Sequence, residues 1–243
     1  NVWITRGEER IPAVFVEGAR GRRAQVTILY THGNAEDIGQ SGDWLTHLSQ
    51  RCRVNILFYD YSGYGLNRGQ LSESACFRDI ESCFSYLTKV RNIEPKNIIL
   101  MGRSLGSGPT VYLASKLCKR SCPDLGCPIK GGIGGLVLQS GLASCCRTVS
   151  KALAYVPFTD MFQNIDRIDD VTCPSFIIHG RADEVVPFQH GEALWEKLKE
   201  SAKWRNLWID EAGHNDIEQR HYDVLTTSLV DFVDHVESNS IKP

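Results

Sequence analysis

The pentapeptide GRSLG at residues 102–106 places Ser104 between two glycines. It follows the apolar run 97–101 and precedes a segment with the small residues of a helix start. A strand, a tight turn and a helix in this order are typical of a nucleophile elbow, which presents a serine at a strained turn. Glycine two residues to either side removes collisions with the neighbouring backbone. Such short matches also arise by chance in glycine-containing loops, so the interpretation depends on the rest of the chain.

A nucleophilic serine needs a base, and the base needs an orienting carboxylate. In open α/β sheets such groups lie at the carboxyl ends of strands. Asp183 follows the predicted strand 175–179, with Glu184 as the neighbouring alternative, and His214 follows the predicted strand 206–209. Aspartate is also common in solvated turns, which is the simpler interpretation of Asp183.

The order Ser104, Asp183, His214 is that of the α/β-hydrolase triad and differs from the orders used by other serine-hydrolase folds. Because all three residues follow predicted strands, their agreement is stronger evidence than the pentapeptide alone. The histidines in predicted helices are interpreted as surface or packing residues: His47, His190, His221 and His235.

Acyl transfer also requires hydrogen-bond donors for the oxyanion of the tetrahedral intermediate. We expect one donor to be the backbone N–H of Leu105, which follows the nucleophile at a helix N-terminus. The second should come from the loop after the predicted strand 25–30, where Asn34 N–H is the first choice and Ala35 the second. His32, which precedes a glycine, is expected to support this loop.

Apolar strands alternate with amphipathic helices along the chain, which predicts a doubly wound, mostly parallel sheet with helices on both faces. Taken with the order of the predicted triad, this sheet is expected to have the α/β-hydrolase fold, in a single domain over residues 1–243. The predicted surface insertion covers 118–135 and a small flap covers 143–170. A hairpin at 2–16 precedes the sheet, whose strands are predicted at 25–30, 54–59, 97–101, 136–139, 175–179 and 206–209, and whose helices are predicted at 43–51, 72–91, 104–117, 189–200 and 217–236.

Composition excludes several functional classes. The 243 residues carry a formal net charge of −2, which provides no basic field for nucleic acid. No apolar run is long enough to span a bilayer. Nine cysteines cannot all pair internally, and their scatter favours a reducing compartment, so we expect a cytoplasmic protein. The first ten residues contain neither a starting Met nor a leader, so we expect a shortened or processed chain.

Cofactor sites are not predicted. Gly63 and Gly65 form no GxGxxG, and the glycines at 132 and 134 precede their strand, whereas a dinucleotide fingerprint follows one. The cysteines at 118, 122 and 127 contain no CxxC pair and have no evident fourth ligand, so neither zinc nor another metal is expected.

Five segments resemble the α/β-hydrolase-domain 17 group of protein depalmitoylases and the broader Bem46-like hydrolases. They are HGNAEDIGQ (32–40), DYSGYG (60–65), GRSLG (102–106), IIHGRADEVV (177–186) and AGHNDIE (212–218). The resemblance implies a serine thioesterase that removes long-chain acyl groups from protein cysteines, with Ser104, Asp183 and His214 as its triad. Members of the group reach membranes through a palmitoylated N-terminal cysteine cluster, so the resemblance implies peripheral membrane association through a segment upstream of this chain.

This sequence departs from the resembled group at two places. Arg103 stands where a neutral Gln is expected, and we expect it to place a positive charge at the mouth of the site and to alter substrate choice. The cysteine-bearing insertion 118–135 has no counterpart in that group.

The function predicted is a serine hydrolase acting on acylated proteins or lipid-like esters. A lipid or small-molecule carboxylesterase and a non-catalytic binding protein remain as alternatives. Acyl-chain preference is expected to depend on Leu142, Phe158 and Val185.

Overall fold

The computed structural model describes residues 1–18, 26–128, 132–145 and 161–240, and these residues form one sheet with helices on both faces. Within these ranges the sheet has eight strands in the order β1-β2-β4-β3-β5-β6-β7-β8. β1 and β2 form the antiparallel edge of the sheet. The other six strands, in the order β4-β3-β5-β6-β7-β8, are parallel to one another. The strands are β1 (Val2–Arg6), β2 (Glu9–Val16), β3 (Thr27–Thr31), β4 (Asn55–Tyr59), β5 (Ile98–Arg103), β6 (Gly135–Gln139), β7 (Ser175–Gly180) and β8 (Lys203–Ile209). The predicted α/β-hydrolase fold is confirmed.

The helices cover the two faces of this sheet. They are α1 (Ile38–Cys52), α2 (Glu73–Ser85), α3 (Ser107–Lys119), α4 (Gln189–Lys197), α5 (Ile217–Arg220) and α6 (Tyr222–Ser240), and a π-helical turn, Tyr86–Val90, continues α2. α1 begins five residues before its predicted start because the Asp37 side chain caps it and accepts the Gln40 N–H at 3.0 Å. The predicted closing helix 217–236 is divided at His221 into α5 and α6.

Side chains alternate across the strands, and each face of the sheet has its own core. Leu29 and Leu100 pack with α2 and α3 on one face. Tyr30 and Met101 pack with α1 and α6 on the other. The central strands are buried on both faces, as parallel strands usually are.

The strand register brings the loops that carry the predicted site residues to the carboxyl edge of the sheet. Thr31 pairs with Gly102, Arg103 with Gln139, and Gly180 with Ile209. The loops that follow β3, β5, β7 and β8 therefore start side by side at the carboxyl edge.

Two predicted surface features fall partly outside the described residues. The predicted insertion 118–135 includes the last two residues of α3 and the first residue of β6, and its residues 129–131 lie outside the described ranges. Most of the predicted flap 143–170, residues 146–160, also lies outside these ranges. In the part of the chain that is described, no helix is both long and apolar enough to cross a bilayer.

Candidate active site

The turn after β5 holds Ser104 in a left-handed conformation, with φ of 50°. A Cβ atom at Gly102 would lie 2.7 Å from the Gly106 carbonyl oxygen, and one at Gly106 would overlap the Thr31 carbonyl oxygen. Only glycine fits at either position, as the elbow interpretation requires. The strand, turn and helix predicted around Ser104 are therefore all present.

The three residues predicted as a triad form one chain of hydrogen bonds. Ser104 Oγ donates to His214 Nε2 at 3.0 Å, and His214 Nδ1 donates to Asp183 Oδ2 at 2.8 Å. All three residues are buried. Glu184, the alternative acid, accepts the backbone N–H of His214 at 3.4 Å, whereas Asp183 accepts the imidazole N–H, so Asp183 is the carboxylate that faces the ring.

Asp183 is held as a carboxylate by the donors around it. Burial alone would raise its pKa, but hydrogen bonds from His179 and His214 and from the Val186 N–H outweigh burial and hold the pKa of Asp183 well below its ordinary value. Its Oδ1 accepts the N–H groups of Val185 and Val186 at 3.0 and 2.7 Å. The carboxylate is thus fixed in direction as well as in charge.

The two N–H groups predicted to bind the oxyanion lie in different loops: Asn34 follows β3, and Leu105 lies in the turn after β5. Gly33 N–H is engaged by Glu36 Oε2 at 3.0 Å, and the Tyr64 hydroxyl donates to Asn34 Oδ1 at 2.6 Å. In the described ranges, neither Asn34 nor Leu105 donates its N–H to a protein acceptor. Hydrogen bonding within the described residues therefore leaves both predicted donors available to an oxyanion.

His32 lies beneath this loop, where it was expected to support it. Its ring stacks on Tyr61 with centroids 4.1 Å apart, and Nδ1 donates to the Gly33 carbonyl oxygen at 2.8 Å. Burial lowers the pKa of His32 and raises that of Asp60, whose Oδ1 lies 3.6 Å from His32 Nε2. These contacts hold the loop from below, which is the supporting role expected of His32.

The expectation that Arg103 places a positive charge at the mouth of the site is wrong. Its side chain is only 7% exposed and is paired with the carboxylates of Glu36 and Glu218. Burial would lower the pKa of Arg103, but Glu218, Tyr30 and Glu36 outweigh burial and raise it. Arg103 is therefore charged but neutralised, because strand β5 directs it inward between two loops.

Of the three residues expected to govern acyl-chain preference, two lie within the described residues, and these two differ in exposure. Leu142 is buried and Val185 is 48% exposed, while Phe158 lies outside the described residues. Of the three cysteines considered for zinc, Cys118 hydrogen-bonds to Cys173, and the backbones of Cys122 and Cys127 pair in an isolated antiparallel bridge. Within the described residues, no group of three His, Cys, Asp or Glu residues could hold a metal ion.

Comparison with known proteins shows the family to which this chain belongs. Residues 22–187 match a family model described as "Chlamydia CHLPS protein (DUF818)". Alpha/beta hydrolase domain-containing protein 17C of Xenopus tropicalis is 37% identical over 98% of this chain and 70% of its own length. The chain belongs to the alpha/beta hydrolase domain-containing protein 17 family. The Homo sapiens member 17C is 36% identical over 97% of this chain and 66% of its own length, so the chain spans about two thirds of these family members.

Solved structures outside the family share the fold. Est1E from Butyrivibrio proteoclasticus, solved with bound ferulic acid, has a TM-score of 0.77 and 16% identity over 98% of this chain and 100% of its own. At that identity the likeness shows the fold alone.

Several residues of the site were not predicted from the sequence. Glu36 and Glu218 join Arg103, and His179 lies with Nε2 3.4 Å from Asp183 Oδ2. The sequence contained one indication of this cluster. Arg103 directly precedes the elbow serine at the end of an apolar strand, and a buried arginine at that position needs hydrogen-bond acceptors around it. Which acceptors it finds depends on the tertiary fold.

Proposed function

We propose that this protein is a serine hydrolase that cleaves acyl thioesters or esters through an acyl-enzyme on Ser104. The observation that carries the proposal is the continuous hydrogen-bond chain from Ser104 Oγ through the His214 imidazole to Asp183 Oδ2. A base within 3.0 Å of a hydroxyl at a strained turn is the arrangement that activates a serine.

Each group has a defined part in the reaction. His214 Nε2 takes the Ser104 proton as Oγ attacks the acyl carbonyl carbon, and then gives that proton to the departing thiolate or alkoxide. Water attacks the acyl-enzyme with His214 again as base, and a fatty acid is released. Asp183 holds the imidazole with its proton on Nδ1. The N–H groups of Asn34 and Leu105 are proposed to bind the oxyanion.

The substrate class proposed is an acylated protein, with long-chain acyl groups on cysteine. It is supported by the motifs that this chain shares with depalmitoylases, and by apolar side chains near the site. Leu66 and Leu71, 59% and 49% exposed, belong to the loop that supports Asn34, and Val185 adjoins Asp183. Exposed apolar surface of this kind suits a lipid-bearing substrate.

The proposed place of action is the cytoplasmic face of membranes. The nine cysteines are an odd number and cannot all pair within the chain, which agrees with a reducing compartment. Recruitment to the membrane would come from a segment outside this chain.

Steady-state hydrolysis of a palmitoyl-cysteine peptide, a monoacylglycerol and a p-nitrophenyl ester tests the proposal. We expect kcat/KM to be highest for the thioester, and Ser104→Ala to reduce hydrolysis on the order of 10⁴-fold. Ser49→Ala is the matched control, because it removes a buried hydroxyl that bonds Val54 at the far end of α1.

Preference for the acylglycerol would instead identify a lipid esterase with the same mechanism. Absence of hydrolysis of all three compounds would contradict the proposal and favour a binding protein.

A further inference from the structure

The Arg103 guanidinium joins two separate loops and the first turn of α5 at the carboxyl edge of the sheet. We infer that Arg103 is a positioning residue, which holds the His214 loop and the loop that carries Asn34 in register with Ser104. The inference rests on the proposed function, because it assigns the part that Arg103 plays in that same site.

The first contact is with the His214 loop. Arg103 Nη2 donates to the His214 carbonyl oxygen at 3.1 Å and to Asn215 Oδ1 at 2.9 Å. Arg103 Nε donates to Glu218 Oε1 at 2.8 Å. One planar group therefore holds the segment 214–218 at both of its ends.

Glu218 extends this connection to the next strand. Its Oε1 also accepts Gln139 Nε2 at 2.6 Å, from the end of β6. Because Arg103 pairs with Gln139 in the sheet register, the His214 loop is tied to two adjacent strands. The imidazole is thereby located relative to the strand that ends at Ser104.

The second contact is with the oxyanion loop. Arg103 Nη1 donates to Glu36 Oε1, and the other oxygen of Glu36 accepts the Gly33 N–H at 3.0 Å. A Cβ atom at Gly33 would lie 2.9 Å from Arg103 Nη1, so the loop passes directly against the guanidinium. The Arg103 guanidinium thus also fixes the position of the backbone next to Asn34.

Arginine suits this task because its donors form a rigid, planar fork. It also directly precedes Ser104, so a single peptide unit joins the positioning group to the proposed nucleophile. Lysine would supply the charge from one atom and could not hold both loops in these directions.

Replacement of Arg103 should leave a folded protein in which the effect can be measured. Arg103, Glu36, Asn215 and Glu218 line one side of an open cleft of about 370 Å³. In a neutral variant, water entering from this cleft can hydrate the two carboxylates. The expected loss is therefore in alignment, with the fold preserved.

Steady-state kinetics on a p-nitrophenyl ester, with kcat and KM determined separately, test the inference. For Arg103→Gln we expect kcat to fall about 10- to 100-fold with KM within about threefold, because a misplacement of about 1 Å can cost this much. Arg103→Lys should fall between Gln and wild type. Arg91→Gln is the matched control, since Arg91 forms an ion pair with the exposed Glu17 at the end of the π-helical turn.

A double-mutant cycle checks that the effect acts through the ion pair. We expect the combined loss in Arg103→Gln/Glu218→Gln to be smaller than the product of the two single losses. Multiplicative losses would contradict coupling between the two side chains.

A second readout does not depend on turnover. The proton between His214 Nδ1 and Asp183 gives a low-field resonance, which we expect to shift or broaden in Arg103→Gln and to stay unchanged in Arg91→Gln. The inference requires both results: an unchanged resonance, or a kcat within threefold of wild type, would overturn it. If wild type hydrolyses nothing, the proposed function fails, while the resonance still tests the positioning.

Discussion

Two arginines, the buried Arg103 and the half-buried Arg6, are paired with carboxylates at different places in the fold. Arg103 lies at the carboxyl edge and bonds Glu36 and Glu218. Arg6 lies at the antiparallel edge, where it bonds the fully buried Asp79 of α2. Both arginines form ion pairs with carboxylates, but they connect different segments of the chain.

The Arg6 cluster joins secondary-structure elements. Arg6 also reaches Ser62 Oγ at 3.3 Å, and Asp79 Oδ2 accepts the Ser62 N–H at 2.8 Å. Strand β1, helix α2 and the loop after β4 are thereby connected. The Arg103 cluster joins the two loops that carry proposed site residues to the start of α5 and the end of β6. The comparison indicates that the role of a buried ion cluster depends on what it connects: Arg6 should govern stability, and Arg103 the geometry of the site.

The largest loss of activity is expected from a substitution of Asp183, which bonds the His214 imidazole at the carboxyl edge. Asp183→Asn should reduce kcat on the order of 10⁴-fold, because an amide favours the wrong tautomer of His214 while the site keeps its shape. Ester hydrolysis alongside circular dichroism measures both properties. A loss below about tenfold would mean that Asp183 does not orient the base.

The second effect contrasts the two arginines directly. Arg6→Gln should lower the free energy of unfolding by about 2–3 kcal/mol, since it leaves Asp79 buried without its cation. Its kcat should stay within about threefold of wild type, the reverse of the result expected for Arg103→Gln. Urea denaturation and ester hydrolysis on both variants provide the comparison, which fails if the two variants behave alike.

The smallest effect concerns pH and the Asp183 carboxylate. The pKa of Asp183 is lower in the folded protein than in the unfolded chain, where it is about 4. The charged carboxylate therefore stabilises the folded protein at pH values above about 4. This stabilisation is lost as the pH falls through the pKa of the folded protein. The difference in unfolding free energy between wild type and Asp183→Asn should therefore shrink by about 1–2 kcal/mol from about pH 6 to about pH 3. Urea denaturation at the two pH values measures it; a constant difference would contradict the assigned hydrogen bonds.

Much of the architecture could be predicted because it depends on local pattern. The central strands are continuous apolar runs, and Ser72 caps α2 as its residue type suggests, accepting the Ala75 N–H at 3.1 Å. Ser104, Asp183 and His214 each follow a strand, and parallel strands bring their carboxyl ends together.

The Arg103 cluster could not be predicted because its partners are far away in the chain. Glu36 is 67 residues from Arg103, and Glu218 is 115 residues away. A strand-end arginine can point to solvent or inward, and only the surrounding loops decide between the two. The break at His221 was missed for a similar reason, since the apolar pattern continues from α5 into α6.

The central claim is that Ser104 is the nucleophile of this site. The most direct test is reaction with a fluorophosphonate probe, followed by peptide mass spectrometry to locate the adduct. The account predicts a single adduct on Ser104 in the wild type and none in Ser104→Ala or His214→Ala. A wild-type protein that remains unlabelled, or that carries the adduct on another residue, would contradict it.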